Sequence, residues 1–254
     1  MKIYVGTSGY GYKEWKGIFY PEKISPKEML HFYGERLNAV EINYTFHHMP
    51  TVAGLTSWAE QVPDGFSIAL KAPQVITHFK LLKNVGEETK YFFRTLSVLG
   101  KKLGPALFQF PGSFRANHSA LAEFLDLVPA EMQCAFEFRS KSWLKGDILE
   151  LLRQRGYSLC TADSDEKPAH EIISTAPWGY LRLRRTDYTE ADLCQWLEKI
   201  LLQEWERVFV FFKHEDEAKG PELAQLFLEL ADARLREKTA SPYPSSTGKQ
   251  LTTP

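Results

Sequence analysis

The sequence alternates short runs of β-forming residues with longer amphipathic segments, and this alternation constrains the possible folds most strongly. Eight runs have the residue types and length of strands, and most segments between them place apolar residues at helical spacing. Strands that alternate with helices form parallel sheets in which each helix crosses back over the sheet. The predicted strands cover residues 3–6, 39–46, 66–72, 105–111, 134–139, 157–163, 179–185 and 207–212.

Eight such strands within residues 3–212 predict an α/β protein with a closed (β/α)8 TIM barrel. An open, doubly wound sheet is the alternative. We expect a single domain over residues 1–236, because neither a linker nor an internal repeat interrupts the pattern. Residues 237–254 are rich in Ser, Thr and Pro, so we predict a disordered tail there.

Composition excludes several classes of protein. The 31 Lys and Arg residues balance the 32 Asp and Glu residues, which argues against a generic nucleic-acid coat protein. The three cysteines are far apart, so a disulfide framework and a cysteine zinc site are not expected. We see neither a secretory signal nor an apolar run of about 20 residues, the length that a membrane helix needs. We therefore expect a cytoplasmic protein with no membrane span.

Polar residues near the ends of the predicted strands fall on one face of each strand. Side chains alternate between the two faces of a strand, and active sites of TIM barrels lie at the carboxyl ends of the strands. Burying several charges together costs free energy unless they pair or bind a ligand. We therefore predict that these residues converge on one site: Glu41, Asn43, Lys71, Gln109, Glu137, Arg139, Asp163, Arg182, Arg184 and His214.

The glycines that follow the first predicted strand do not predict a nucleotide site. Gly6, Gly9 and Gly11 read G-x-x-G-x-G, whereas the dinucleotide fingerprint is G-x-G-x-x-G leading directly into a helix. A long aromatic segment follows instead. We predict that it forms a wall of the site, with Ser8, Tyr10, Tyr12 and Trp15 near the ligand, although the same aromatics could simply anchor a loop.

Several motifs, in order along the chain, resemble the YecE-like family, a domain of unknown function numbered 72. The resemblance covers about residues 3–232 and implies a TIM barrel, but it implies no reaction. Arg184 and Arg185 stand where the family usually has His and Gly. The matching motifs are GTSGYGYKEWKGIFYP (6–21), NAVEINYTFHHMP (38–50), the Q-F-P of residues 109–111, EFRSKSW (137–143), Asp163 and YLRLRR (180–185).

The residues favour a hydrolase-type enzyme that acts on a small phosphate- or carboxylate-bearing substrate. Two carboxylates in different environments can serve as general acid and general base, and clustered Lys and Arg suit an anionic substrate. We predict Glu41, Glu137 and Asp163 as catalytic residues. The predicted substrate-binding residues are Ser8, Tyr10, Tyr12, Trp15, Asn43, Lys71, His78, Gln109, Arg139, Trp143, Arg182, Arg184 and His214.

Two other classes of function stay open. A metal-dependent enzyme would need His and carboxylate ligands, but no H-E-x-x-H or comparable spacing occurs, so we expect neither a metal nor a cofactor. A non-catalytic binding module for single-stranded nucleic acid or a regulatory ligand is the main alternative. If Glu137 is catalytic, Glu137→Gln is expected to leave folding near normal.

Overall fold

The computed structural model describes residues 1–213 and 216–240. Within these residues the chain has an α/β fold in which every strand pair is parallel, as the alternating pattern predicts. The strands are β1 (Lys2–Thr7), β2 (Ala39–Ile42), β3 (Ser67–Lys71), β4 (Leu103–Phe110), β5 (Cys134–Phe138), β6 (Ser158–Leu159), β7 (Thr161–Asp163), β8 (Trp178–Leu183) and β9 (Arg207–Phe212).

The strands form two parallel sheets. One sheet has four strands in the order β1-β9-β8-β7, and the other has five strands in the order β2-β3-β4-β5-β6. The predicted strand over 157–163 is two short strands, β6 and β7, with Cys160 between them. The ladders therefore confirm a parallel α/β architecture, but they do not join the strands into one continuous closed sheet.

The two sheets approach each other along two borders. At one border, the chain passes through Cys160 from β6 of the second sheet to β7 of the first, and the backbone N–H of Cys160 donates to the carbonyl of Phe136 in β5 over 2.9 Å. At the other, Ser8 forms a parallel bridge with Glu41, and the Gly9 amide donates to the Glu41 carbonyl over 2.8 Å. Gly6 permits this close approach, because a Cβ atom there would lie 1.9 Å from the carbonyl oxygen of Ala39.

Helices and turns connect successive strands. The α-helices are α1 (Met29–Gly34), α2 (Tyr44–His47), α3 (Val52–Gln61), α4 (Gly86–Leu96), α5 (His118–Leu125), α6 (Gly146–Arg155), α7 (Glu190–Leu201) and α8 (Lys219–Ala240). A π-helix covers Val75–Phe79, and 3₁₀ turns cover Lys13–Trp15, Ser97–Lys102, Lys141–Trp143 and Asp216–Ala218.

Two predicted boundaries differ from the structure by four residues. The strand predicted over 39–46 ends at Ile42, because Asn43 adopts helical backbone angles and α2 follows. The Thr45 hydroxyl stabilises this turn by donating to the carbonyl of Lys71 over 2.7 Å. Helix α8 ends at Ala240, so it includes the first four residues of the predicted tail. The remainder of that tail lies outside the described residues.

The apolar core has two parts. The larger part packs the outer faces of the strands against the helices, with Phe108 against Phe124 of α5 as one example. The smaller part contains side chains from both sheets, on the opposite face of the strands. It comprises Ala39, Ala69, Leu107, Ala135, Cys160, Trp178, Tyr180, Phe209 and Phe211, with Tyr4 packed against them. Both sheets therefore contribute to one interior.

Across the two described stretches of chain, no helix combines the length and the apolar content that crossing a membrane requires.

Candidate functional site

A buried cluster of two carboxylates and one guanidinium joins the two sheets above the smaller core. Arg182 of β8 donates from Nη2 to Glu41 Oε1 over 2.8 Å and from Nη1 to Glu137 Oε2 over 2.6 Å. All three side chains are at most about 5% exposed. Such short, charge-assisted bonds hold the guanidinium plane in one orientation. We call Glu41, Arg182 and Glu137 the buried triad.

Neutral side chains satisfy the other oxygens of the buried triad. The Tyr180 hydroxyl donates to Glu41 Oε2 over 2.7 Å, and Gln109 Nε2 donates to Glu137 Oε1 over 2.7 Å. Asn43 Nδ2 reaches Glu41 Oε1 over 3.3 Å. Each carboxylate oxygen of the triad therefore already accepts at least one hydrogen bond.

Strand alternation explains why these residues meet. Glu41 follows Ala39 by two residues, and Arg182 follows Tyr180 by two residues, so each polar side chain lies on the same face as a member of the smaller core. The register also pairs Gln109 of β4 directly with Glu137 of β5. The sequence analysis did not include Tyr180 among the site residues. Its position two residues before Arg182 in the same strand places both side chains on one face, and this spacing could have identified it.

Both carboxylates of the triad are ionised at neutral pH. Burial by itself raises the pKa of Glu137, but the charge of Arg182 and its hydrogen bond outweigh burial and lower that pKa to about 2. Glu41 shows the same balance, because burial opposes the charge of Arg182 and the Tyr180 hydrogen bond, and its pKa is lowered.

Three more cationic side chains surround the triad. Arg139 Nε lies 3.6 Å from Glu137 Oε1, and Arg184 Nη1 lies 3.9 Å from the same oxygen. Lys71, the last residue of β3, places its Nζ 4.0 Å from the ring centre of Phe46. With Arg182, the site holds four cationic side chains and only two carboxylates, so it carries a positive excess.

Burial and the neighbouring charges shift the titration of the amine and the imidazole at this site. Burial, followed by the charge of Arg182, lowers the pKa of Lys71 to about 8 even though Glu41 and Glu137 act in the opposite direction. The pKa of His78 is lowered by burial and then by the charges of Lys71 and Arg139. Lys71 therefore exchanges its proton closer to neutral pH than Glu137 does.

A comparison with protein families identifies the relatives of this chain. The family described as "Protein of unknown function DUF72" matches residues 4–247. The chain belongs to the DUF72 family. This confirms the YecE-like resemblance seen in the sequence motifs.

Individual relatives resemble this chain more strongly in fold than in sequence. A crystal structure of a DUF72 family protein from Thermotoga maritima MSB8 has a TM-score of 0.80 and 26% identity, and the match covers 91% of this chain and all of that one. One from Enterococcus faecalis V583 has a TM-score of 0.74 and 20% identity, with 91% and 98% coverage. The UPF0759 protein YunF of Bacillus subtilis (strain 168) is 25% identical over 156 residues, which is 58% of this chain and 54% of that protein.

In this DUF72 protein, Asp163 does not join the triad. Ala162 pairs in register with Arg182, so Asp163 lies on the opposite face of β7. Its Oδ2 accepts from the Tyr188 hydroxyl over 2.8 Å and pairs with Arg185, while its Oδ1 accepts from the Ala169 amide. The predicted convergence of Asp163 with Glu41 and Glu137 is therefore corrected. The sequence pattern predicted that the apolar residues Cys160 and Ala162 face the helices. In the structure these small side chains face the interior, so Asp163 faces outward.

Both tryptophans that were predicted to bind substrate are buried in the apolar core. Trp15 is 1% exposed and contacts the rings of Tyr12, Phe19 and Tyr20. Trp143 is fully buried, stacks on Phe138 with ring centres 4.6 Å apart, and donates to the Phe114 carbonyl. Neither indole is available to stack on a ligand, so these two assignments are corrected.

The other residues of the opening segment lie beside the site. Ser8 is buried next to Glu41 at the parallel bridge. The Tyr12 hydroxyl donates to the Ser8 carbonyl over 2.8 Å, and Tyr10 packs near Tyr33 of α1. The segment therefore anchors a loop to the sheet and to α1, which is the alternative that the sequence left open.

Two further predictions concern metals and the eighth strand. His214, predicted to bind substrate, lies outside the described residues. Within the parts of the chain that are described, no group of three or more His, Cys, Asp or Glu side chains is arranged to hold a metal ion.

A separate depression of about 540 Å³ lies at the amino-terminal end of β3 and β4, between α3 and the 3₁₀ turn Ser97–Lys102. Of its two lining lysines, Lys102 already donates to the carbonyls of Ala59 and Val62. This depression is far along the strands from the charged cluster, and its lining lacks a comparable set of buried ionic groups.

Proposed function

We propose that this DUF72 protein is an enzyme that binds a small phosphate- or carboxylate-bearing substrate at the carboxyl ends of its strands. One observation carries the proposal: a buried triad holds Arg182 rigidly within a cluster of four cationic side chains and only two carboxylates. An anionic ligand would neutralise that excess. Planar guanidinium groups are well suited to bind such a ligand.

The partners of the cationic groups divide the site into a floor and a rim. Arg182 is 2% exposed and binds the two triad carboxylates through its two Nη atoms, so it forms the floor. Arg139 and Arg184 both approach Glu137 Oε1 at 3.6 Å or more, which is longer than a hydrogen bond. These rim guanidinium groups keep N–H donors for a ligand.

The triad carboxylates suit positioning better than proton transfer. A general acid must hold a proton near neutral pH, and efficient bases have pKa values near the working pH. Burial raises the pKa of Glu137, but the charge and hydrogen bond of Arg182 outweigh burial and lower that pKa to about 2, far from that range. In our proposal, Glu41 and Glu137 therefore orient Arg182. Hydrolysis of the substrate stays a prediction. The groups suited to transfer protons in that reaction are Lys71 and His78.

We further propose that the two sheets together form the closed eight-stranded barrel predicted from the sequence. Support comes from the smaller core, to which both sheets contribute, and from the bridge between Ser8 and Glu41. Cys160 alone separates β6 from β7, so those strands act as one strand with a single interruption. Closure would place the triad inside the barrel, near its carboxyl-terminal end, where barrel enzymes bind their substrates.

A binding module for single-stranded nucleic acid is the second candidate function. Clustered Arg and Lys favour it, but stacking platforms for bases must be accessible, and Trp15 and Trp143 are buried. The formal net charge of −1 also provides little attraction for a long phosphate backbone. An enzyme that acts on a small anionic substrate therefore has more support than a nucleic-acid binding module.

A thermal-shift panel tests the proposal. We would measure the Tm with inorganic phosphate, phosphorylated sugars, small carboxylates and short single-stranded oligonucleotides. A ligand at 100 times its Kd stabilises by about 2.7 kcal/mol, which raises the Tm of a chain of this length by roughly 5–10 °C.

Matched variants locate the binding site in that panel. Arg184→Gln removes a rim cation, and Arg153→Gln removes an exposed arginine on α6 as the control. We expect small anions to raise the Tm of the wild type and the control, and to raise that of Arg184→Gln much less. A shift only with oligonucleotides that disappears steeply with salt would favour the binding module. No shift with any small anion would contradict the proposal.

A further inference from the structure

We propose that the amine of Lys71 is a covalent nucleophile that forms an imine with the carbonyl carbon of an anionic aldehyde or ketone. This inference rests on the proposed anion site and adds a chemical class to its substrate: a carbonyl compound that also carries a carboxylate or phosphate. The anionic group would be held by Arg139 and Arg184, and the carbonyl would face Lys71.

The backbone holds Lys71 firmly at the end of β3. Its carbonyl accepts the Thr45 hydroxyl hydrogen bond over 2.7 Å, and the next amide, that of Ala72, donates to the Leu107 carbonyl over 2.8 Å. Lys71 follows Ala69 of the smaller core by two residues, so it lies on the face that carries Glu41 and Glu137. The side chain is half-buried and is positioned without a flexible loop.

The amine has no carboxylate partner within the described residues. No hydrogen bond or ion pair joins Lys71 Nζ to those residues, and its close contact is the ring of Phe46 at 4.0 Å. The two carboxylates whose charges act on it are Glu41 and Glu137, and their oxygens are already bonded to Arg182, Tyr180 and Gln109. The amine is therefore available to react with a ligand.

The surroundings increase the fraction of the amine that is neutral and nucleophilic near pH 7. Burial disfavours the ammonium ion, and the guanidinium groups of Arg182 and Arg139 repel it, so the pKa of Lys71 falls to about 8. Lysines that form Schiff bases are activated by desolvation or by an adjacent cation. Lys71 has both features.

The chemical step balances without any redox partner. The neutral amine attacks the carbonyl carbon and forms a C–N bond, and the carbonyl oxygen takes a proton to give a carbinolamine. Loss of that hydroxyl as water forms the C=N bond. Overall, one lysine ammonium and one carbonyl give one protonated imine and one water, with no change in charge.

His78 is placed to carry protons in this step. Its ring packs edge-on against Phe46, the same ring that Lys71 contacts, with ring centres 4.9 Å apart. The Thr77 hydroxyl lies 2.9 Å from its Nδ1 and orients the imidazole. Burial, followed by the charge of Lys71, lowers the pKa of His78. The shared contact with Phe46 places the two groups in one part of the site.

Covalent trapping tests the inference. Purified full-length protein would be incubated at pH 7 with pyridoxal 5′-phosphate or glyoxylate and then reduced with borohydride, which converts an imine into a stable amine. Peptide mapping by mass spectrometry would locate the adduct. Since an ordinary lysine titrates near pH 10.4, we expect modification of Lys71 at least about tenfold faster than modification of the exposed Lys90.

Variants and competition separate the site from chance labelling. Lys71→Arg keeps the charge but removes the nucleophile, and Lys90→Arg is the control on the surface of α4. We expect Lys71→Arg to lose the fast adduct and Lys90→Arg to keep it, with inorganic phosphate slowing the reaction. The labelling rate of Lys71 should rise with increasing pH, with an inflection near the pKa of its amine at about 8. The charged and titratable groups around this amine are Arg182, Arg139, Glu41, Glu137 and His78. Peptide mapping of the adduct in the wild-type protein shows whether Lys71 reacts faster than Lys90, even if Lys71→Arg fails to fold.

The outcomes distinguish the inference from the proposed function. A Lys71 adduct that phosphate suppresses supports both. If phosphate raises the Tm but Lys71 reacts no faster than Lys90, the imine is overturned and the anion site stands. If phosphate raises no Tm and Lys71 shows no preference, both fail.

Discussion

Arg182 connects groups that the chain keeps far apart, because it binds Glu41 from 141 residues away and Glu137 from 45 residues away. Its own Nε has no hydrogen-bond partner within the described residues, so the guanidinium retains one unused donor in a buried place. Unpaired donors of this kind are rare in stable interiors. A bound anion or a water molecule would satisfy it.

Glu137→Gln is expected to destabilise the protein. Removing one charge from a buried pair costs about 3 kcal/mol or more, because the other charge is left undercompensated. Urea unfolding measures the loss, and the exposed Glu131→Gln should change the free energy of unfolding by less than about 0.5 kcal/mol. This reverses the expectation from the sequence, where a catalytic Glu137 would tolerate the change. Equal stability of the two variants would show that the triad contributes little.

Stability should fall in acid through Glu137. The pKa of its carboxyl is about 2 in the folded protein, lowered from 4.5 by Arg182 against the effect of burial. The ionised form therefore stabilises the fold fully above pH 4.5, and this contribution of up to about 3 kcal/mol is lost as the pH falls towards 2. Glu41 acts with the same sign, because its pKa is also lowered.

Urea midpoints between pH 6 and pH 3 measure this dependence. We expect the midpoint of the wild type to decrease more steeply than that of Glu137→Gln, which has no carboxyl to protonate at that position. Parallel curves for the two proteins would contradict the assignment of a lowered pKa to Glu137.

Among the elements, the loop after β1 shows most clearly that an aromatic sequence does not define a binding surface. Trp15 is enclosed by Tyr12, Phe19 and Tyr20, and its carbonyl accepts the amides of Phe19 and Tyr20. The loop folds onto its own indole and onto α1. Its aromatic residues therefore hold the loop in place beside the site.

Trp15→Ala is expected to lower the free energy of unfolding by about 3–5 kcal/mol, the usual cost of removing a buried large aromatic side chain. Ile18→Ala, in the same loop and at a side chain that is 65% exposed, is the matched control and should cost little. Trp15→Phe should retain the Tm shifts caused by small anions. If Trp15→Phe lost those shifts while its stability stayed unchanged, Trp15 would be a ligand-binding residue.

For the whole molecule, the relation between the two sheets decides whether the interior is closed. The Gly9 amide binds the Glu41 carbonyl across one border, and the Cys160 amide binds the Phe136 carbonyl at the other. Amides in a closed barrel exchange through large-scale opening, whereas amides along an open edge exchange by local fraying.

Native-state hydrogen exchange can therefore test closure. We expect the opening free energy of the Gly9 amide to match that of Cys160 and to approach the global free energy of unfolding. The exposed Gly11, two residues further along, is the internal control and should exchange rapidly. Exchange of Gly9 as fast as that of Gly11 would indicate an open border between β1 and β2.

Local patterns determined much of this protein. Strand and helix alternation predicted the parallel α/β class, because residue type and spacing act over a few neighbouring residues. Alternation also placed Glu41, Glu137 and Arg182 on the face that the structure gives them. The sequence motifs identified the family. These features depend on short stretches of chain, so they can be read before the chain folds.

Tertiary structure alone decided which groups meet. The pairing of Glu41 with Arg182 depends on two sheets coming together. Arg182 then keeps Glu137 ionised against the effect of burial, whereas burial lowers the pKa of Lys71. Asp163 and Trp15 were misplaced because the size of neighbouring side chains, rather than their polarity, determined which face is inward and which ring is covered. Packing is a property of residues distant in sequence, and no local pattern encodes it completely.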